Sequence, residues 1–331
     1  MNNGPIHWRD GDRTIRLGAD AVDNAPSILV DAGWDVYDLF STERALADAP
    51  DALAGVAAEV FSVRPGAVNE IAAELVSEVS SDQFVAFGGG RVIDTAKAIA
   101  SVTGARVAAI PTTLSGAEMT RIHKVPDGRK PEHGQTRPQL VIADPDVMTA
   151  QPDLERRASA MNALAHAADS LYTPYAHPVS QMAALEGARL IAAGIEEDGR
   201  RDLALGSLLA GYAIDSAGFS LHHVICQSLV RVMRIPHAET NAAMLPRVIE
   251  ALLPRAPGEM AELADALGTA PDELPGRIEV LSGGRRSLGE IGADREKLEE
   301  SLDAILARGE LEMTPETPDR DELRRIIEIA W

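Results

Sequence analysis

Four side chains carry the densest chemistry in this chain: Asn162, His166, His223 and His237. Asn162 and His166 stand four apart in Met161-Asn162-Ala163-Leu164-Ala165-His166, a spacing that puts both on one face of a helix. His223 closes an apolar stretch that begins near Leu208, and His237 follows behind Pro236. Neutral imidazoles with one oxygen donor suit a divalent transition metal such as iron or zinc. An amide is a weak replacement for the carboxylate such an ion prefers, so this set admits a metal without favouring one. Without a metal, the same imidazoles can hydrogen-bond a carbonyl oxygen or pass it a proton near neutral pH. Each histidine alone reads as a hydrogen-bonded core residue. The four together read as a site.

A second cluster is suited to anions. In Phe87-Gly88-Gly89-Gly90-Arg91-Val92-Ile93-Asp94-Thr95-Ala96-Lys97, a strand runs through three glycines into a helix. Bare backbone amides and the positive end of the helix dipole can then face a pyrophosphate. Asp94 and Lys97 are counted with Gly88, Gly89 and Gly90 as candidate cofactor contacts. The loop Ile110-Pro111-Thr112-Thr113-Leu114-Ser115 also follows a strand, and the hydroxyls of Thr112 and Thr113 could bond a nucleotide or cap the next helix. Ser41 and Thr42 complete the set at the end of another strand. They are followed by Glu43, an acid of the kind that selects NAD, and Arg44, a base of the kind that accepts the phosphate of NADP. Use of both NADH and NADPH, with a modest preference for NADH, is expected.

The elements that must position these residues are legible as a pattern. Short apolar runs at 14–17, 35–40, 58–61, 83–87 and 106–110 alternate with helix-like segments near 20–32, 67–80 and 91–103. That alternation indicates a Rossmann-like α/β domain with a parallel sheet, assigned to residues 1–151. From 152 to 331 nearly everything reads as helix, and the turn signal Ala150-Gln151-Pro152-Asp153 marks the boundary. The apolar stretch from Leu203 to Met233 is interrupted by Asp215, two histidines and Arg231, which favours a buried helix over a membrane span.

Composition narrows the partners. A net charge of −20 argues against nucleic acid and anionic membrane, and 4% aromatic residues leave little for stacking bases. A small-molecule substrate is the expectation. The single Cys226 rules out an internal disulfide and fits a reducing, cytoplasmic setting, and the N-terminus lacks the blocks of a signal peptide.

Four motifs in order resemble those of the iron-containing alcohol dehydrogenase superfamily. They are Gly-Gly-Gly-x-x-x-Asp-x-x-Lys from Gly88, Pro-Thr-Thr-x-x-Gly-x-Glu-Met-Thr from Pro111, Met-Asn-Ala-Leu-Ala-His-Ala from Met161, and Leu-His-His with Ile-Pro-His-Ala-Glu-Thr-Asn from Leu221 and Ile235. Within it, the maleylacetate reductases are most similar. The resemblance implies the fold shared with dehydroquinate synthase and hydride transfer from NAD(P)H. It further implies an unsaturated oxo-acid or related carbonyl substrate of aromatic-compound catabolism, and a homodimer. His223, His237 and His166 would be the catalytic residues. Metal-dependent members carry aspartate where Asn162 stands, and the superfamily usually has histidine where Gln227 stands, so a proton relay there would have to use another group. A dicarboxylate would need arginines, with Arg121 and Arg234 as candidates. The rivals are a metal-dependent alcohol or polyol dehydrogenase, a dehydroquinate-synthase-like lyase, and a nucleotide-binding homologue without turnover.

Overall fold

A computed structural model describes residues 4–331. The described residues up to Ala150 form one compact unit and Gln151–Trp331 a second.

The first unit follows the order β1 (Ile6–Asp10), β2 (Arg13–Leu17), α1 (Ala25–Asp31), β3 (Tyr37–Ser41), α2 (Glu43–Ala47), α3 (Asp51–Gly55), β4 (Ala57–Ser62), α4 (Val68–Leu75), β5 (Gln83–Gly88), α5 (Gly90–Thr103), β6 (Arg106–Pro111), β7 (Leu140–Ala143) and α6 (Pro145–Met148). Its seven strands lie in the order β1-β2-β7-β6-β5-β3-β4, all parallel except β1, which pairs antiparallel with β2 at the edge. Strand alternation buries both faces. Phe84 and Ala86 pack with Phe40, Phe61, Ile71, Val92 and Ile99 on one side, and Val85 and Phe87 with Leu29, Trp34, Tyr37, Leu39 and Leu53 on the other. The chain leaves β3 toward β4 and returns to β5 on the other flank of β3. The sheet therefore changes winding direction between β3 and β5, and ligands of open α/β sheets bind at the carboxyl ends of strands at such a point.

The expected α/β architecture is present, and two strands were missed. β1 alternates half-buried and exposed residues with little apolar content, and β7 is only four residues long behind an irregular segment. Short runs of that kind carry little periodicity.

The second unit is helical throughout: α7 (Asp153–Tyr172), α8 (Pro178–Glu196), α9 (Arg200–Ala217), α10 (Leu221–Met233), α11 (His237–Leu252), α12 (Pro257–Ala266), α13 (Leu274–Leu281), α14 (Leu298–Leu306) and α15 (Arg320–Ile329). Helices α8 and α9 approach closely at Gly187 and Gly206, where a Cβ on Gly206 would fall 2.8 Å from the Gly187 carbonyl oxygen. The stretch from Leu203 to Met233 is not one helix. Gly218, at φ +76°, ends α9 in a backbone region that favours glycine, and α10 starts after Ser220. The break places His223 in the first turn of a helix and not at the end of one. Among the described residues, no helix is long and apolar enough to cross a membrane.

Candidate active site

In the α/β unit, β5 delivers Gly88 to the winding switch and Gly89 is the N-cap of the 14-residue α5. The first amides of a helix lack intrahelical acceptors, so they are available to an anion. A Cβ on Gly89 would lie 3.0 Å from Thr113 Cγ2, and one on Gly90 3.0 Å from Ser115 Cβ. The glycines thus let the loop after β6 pack against the start of α5. Thr113 Oγ1 is buried there with no protein partner, and Thr112 N–H donates to the Gly88 carbonyl. This bare cradle with an open hydroxyl fits the pyrophosphate of a dinucleotide.

Four other expected cofactor contacts are placed differently. Lys97 is fully buried, and its ammonium donates to Asp94 Oδ1, the carbonyls of Ala117 and Ile122, and Thr120 Oγ1 at 2.8 to 3.3 Å. It ties the loop after β6 to α5, with Asp94 as its counter-ion. Ser41 Oγ donates to the Phe87 carbonyl at 2.8 Å, and Thr42 Oγ1 caps α2 by accepting from Ala45 N–H at 3.1 Å. These side chains shape the strand ends and are already engaged by protein.

Glu118 of the same loop is fully buried with no neighbouring donor on either carboxyl oxygen. Burial pushes this carboxyl up to about 7, against the opposing pull of its own backbone amide and the Lys97 and Arg13 charges. The folded protein holds the proton more tightly than the unfolded chain. Stability is therefore full below the ordinary value of 4.5 and falls as pH rises through about 7. Glu118→Gln should remove that fall, leaving the variant more stable than wild type at about pH 8 by on the order of 3 kcal/mol, with the gap closing toward acid. Urea melts across this range check it, and parallel curves for the two proteins would show that the carboxyl does not titrate this way.

In the helical unit, α7 and α10 bring His166 and His223 together, their rings stacked at 4.8 Å between centroids and 19° between planes. Both are buried, as is Asn162 one turn before His166. Asp169, three residues after His166, organises the group. Its Oδ2 accepts from His223 Nδ1 at 2.7 Å and from the backbone N–H groups of Ser220 and His223, each at 3.2 Å. Its Oδ1 accepts from the Tyr172 hydroxyl, which in turn accepts from Leu221 N–H at 3.2 Å. Ser220, the N-cap of α10, makes no side-chain cap of its own. Asp169 supplies the cap from α7, so a charge that favours the helix N-terminus also fixes the tautomer of His223.

The electrostatics are consistent with an ionised carboxylate near the neutral rings of His166 and His222. Burial alone would raise Asp169, but the His223 hydrogen bond, the nearby imidazoles and Tyr172 bring it down to about 2. Burial pushes the Tyr172 hydroxyl well up, with the Asp169 charge adding to it. Burial holds His166 well below the usual imidazole range, helped by repulsion from His223 and His237, and takes His222 down to about 3. His222 Nε2 is bonded to Asn241 Oδ1 at 2.7 Å, and Asn241 donates to the His237 carbonyl at 2.8 Å. His237 is the first residue of α11 and exposed, close enough for its charge to act on His166 and His222. Cys226 is buried, and burial raises its thiol well above the usual range, so it is packing and not a nucleophile.

Three residues escaped the sequence reading: Asp169, His222 and Asn241. A carboxylate three residues after His166 in an alanine-rich helix was the available signal for Asp169. Arg121 lines a cavity of the α/β unit with Arg13 and Arg137, and Arg234 ends α10 in a left-handed conformation, exposed.

His166 Nδ1 and His223 Nε2 are buried without protein partners. His223, with Nδ1 donated to a carboxylate, is held as metal-ligating imidazoles commonly are. No group of three or more His, Cys, Asp or Glu among the described residues is arranged to hold a metal ion. By donor type, the two open nitrogens fit a divalent ion, with the Asn162 amide beside them.

The chain matches the iron-containing alcohol dehydrogenase family over residues 12–145 and the C-terminal part of that family over 157–331. It is 33% identical to maleylacetate reductase of Burkholderia cepacia over 313 residues, 88% of each chain. Among solved structures, maleylacetate reductase from Rhizobium sp. strain MTP-10005 superposes with a TM-score of 0.82 at 28% identity, covering 100% of this chain and 99% of that one. Iron-containing alcohol dehydrogenase from Corynebacterium glutamicum gives 0.83 at 26%, covering 99% and 96%. The chain belongs to the iron-containing alcohol dehydrogenase family and is close to its maleylacetate reductases. It is thereby placed among oxidoreductases. The expectation that a metal is possible but not favoured is not borne out, because the family the chain belongs to is the iron-containing one.

The amide at Asn162 remains a measurable departure. Asn162→Asp adds a charged oxygen beside two open imidazole nitrogens, and zinc should bind the variant at least about tenfold more tightly, the factor given by about 1.4 kcal/mol. Titration calorimetry with zinc reads the difference. Equal affinities would take position 162 out of any ligand set.

Proposed function

We propose that this protein is an NAD(P)H-dependent reductase that adds hydride to the carbon–carbon double bond of an unsaturated oxo-acid. Maleylacetate, in the names of its relatives, is the first candidate substrate. The observation that carries this reading is His223, backed by a buried carboxylate, with Nε2 open beside the ring of His166.

The dihydronicotinamide, when bound, supplies the hydride. Gly88, Gly89 and Gly90 would receive its pyrophosphate, with Thr112 and Thr113 alongside. A divalent ion, where bound, would be held by His166 and His223 with Asn162 and His237 and would polarise the carbonyl oxygen. As hydride arrives at carbon, negative charge passes to the ketone oxygen of the conjugated system. His223 Nε2 would donate to that oxygen when the ring is protonated, with Asp169 at Nδ1 facing the charge. His166, kept neutral by burial, adds a polar wall without repelling His223. His237 is exposed at a helix start, where it can exchange protons with water.

A metal-dependent alcohol dehydrogenase of the same family is the competing reading, favoured by the pair of imidazole nitrogens without protein partners, His166 Nδ1 and His223 Nε2, that could hold its ion. A panel of unsaturated oxo-acids, aldehydes and alcohols with NADH, NADPH and their oxidised forms, with and without added iron or zinc, separates the two. The expected result is oxo-acid reduction with both cofactors, their efficiencies within about a hundredfold, roughly 2.7 kcal/mol. Turnover of alcohols alone would replace this reading with the other.

A further inference from the structure

Gln227 lies one helical turn beyond His223 on α10, so the two side chains share a face of that helix. Its amide has a fixed direction. Arg308, two residues past the end of α14, donates Nη1–H and Nη2–H to Gln227 Oε1, each at 3.2 Å. A guanidinium has only donors, so the end of the amide that faces it must be the oxygen. The Nε2 hydrogens project away from Arg308, and no acceptor among the described residues takes them.

Arg308 is itself held in place. Its Nε and Nη2 donate to Glu310 at 3.0 and 2.9 Å, and its guanidinium carbon lies 5.7 Å from the centre of the Phe219 ring. That ring lies 5.8 Å from the ring of His223. Phe219, His223, Gln227 and Arg308 thus form one continuous patch, in which Gln227 is half-buried. An arginine on the oxygen end also polarises the amide and strengthens its N–H donors.

We propose that Gln227 is a further substrate-contacting residue, whose amide N–H donates to the reacting carbonyl oxygen, and that Arg308 is the residue that positions it. The inference rests on the reading that His223 faces that oxygen. No proton moves through Gln227. It is a permanent neutral donor beside a titratable one, so its contribution does not vary with pH.

The test is a double-mutant cycle in the full chain, run on whichever carbonyl compound the wild type reduces fastest, with thermal melts confirming that each variant is folded. Gln227→Met removes the amide. Gln227→Glu keeps an acceptor for Arg308 and removes the donor. Each should lower kcat/KM by about a hundredfold or more, the lower end for loss of one preorganised donor, by the same factor at about pH 6 and pH 8. NADH affinity should stay within about twofold of wild type. Arg308→Met should lower kcat/KM in the wild-type background and add less than about twofold on top of Gln227→Met, since the group it positions is then gone. A folded Gln227→Met enzyme within about twofold of wild type would overturn the proposal, as would effects of the two changes that simply multiply. Wild-type reduction of other carbonyl compounds but not oxo-acids would remove the substrate reading and leave this one to be judged by the cycle. No reduction of any carbonyl compound would remove both.

Discussion

Asp169→Asn should lower turnover by about a thousandfold or more while leaving NADH affinity nearly unchanged. The carboxylate accepts from His223 Nδ1 and from two backbone amides at the start of α10. An amide in its place can present its nitrogen to the ring and hold the wrong tautomer, and it brings no charge to meet a protonated imidazole. Loss of a buried carboxylate behind a catalytic histidine has that order of effect elsewhere, about ten-thousandfold in a serine protease. Stability should fall as well, by about 3 kcal/mol, because breaking one partner of a buried charged network leaves the others uncompensated. Steady-state kinetics and a urea melt on the same preparation read both quantities. A variant that loses stability but retains turnover would make Asp169 a helix cap and nothing more.

His237→Ala should cost turnover about a hundredfold, the lower end for removal of one preorganised donor, again with NADH binding intact. The residue is exposed at the first position of α11, so little packing is lost and the effect on folding should be small. Its charge reaches His166 and His222, which is the reason to count it in the site. Wild-type kcat in a folded His237→Ala protein would take it out of the chemistry.

The fold was readable because its helices and central strands are long or strongly apolar. β5 and β6 are buried on both faces and flank the helix α5, and that repeat of strand and helix is visible without a structure. The weak edge strand β1 and the four-residue β7 lacked such a signal. The site was half readable. Asn162 and His166 share a helix, so their spacing alone aligns them, whereas His223 meets Asp169 across 54 positions and Gln227 meets Arg308 across 81. Contacts of that kind depend on how helices pack, which periodicity does not encode. The surroundings of Lys97 were hidden for a different reason. A lysine beside a glycine-rich turn has the composition of a phosphate ligand, and only its four protein acceptors show that it closes a loop.

The position to which hydride is delivered tests the central claim most directly. With deuterium-labelled NADH and the unsaturated oxo-acid, the product's deuterium, located by NMR, should sit on a carbon of the former double bond, with the ketone intact. Deuterium on a new carbinol carbon would mean that the carbonyl itself is reduced, and the protein would then be an alcohol dehydrogenase and not a reductase of conjugated oxo-acids.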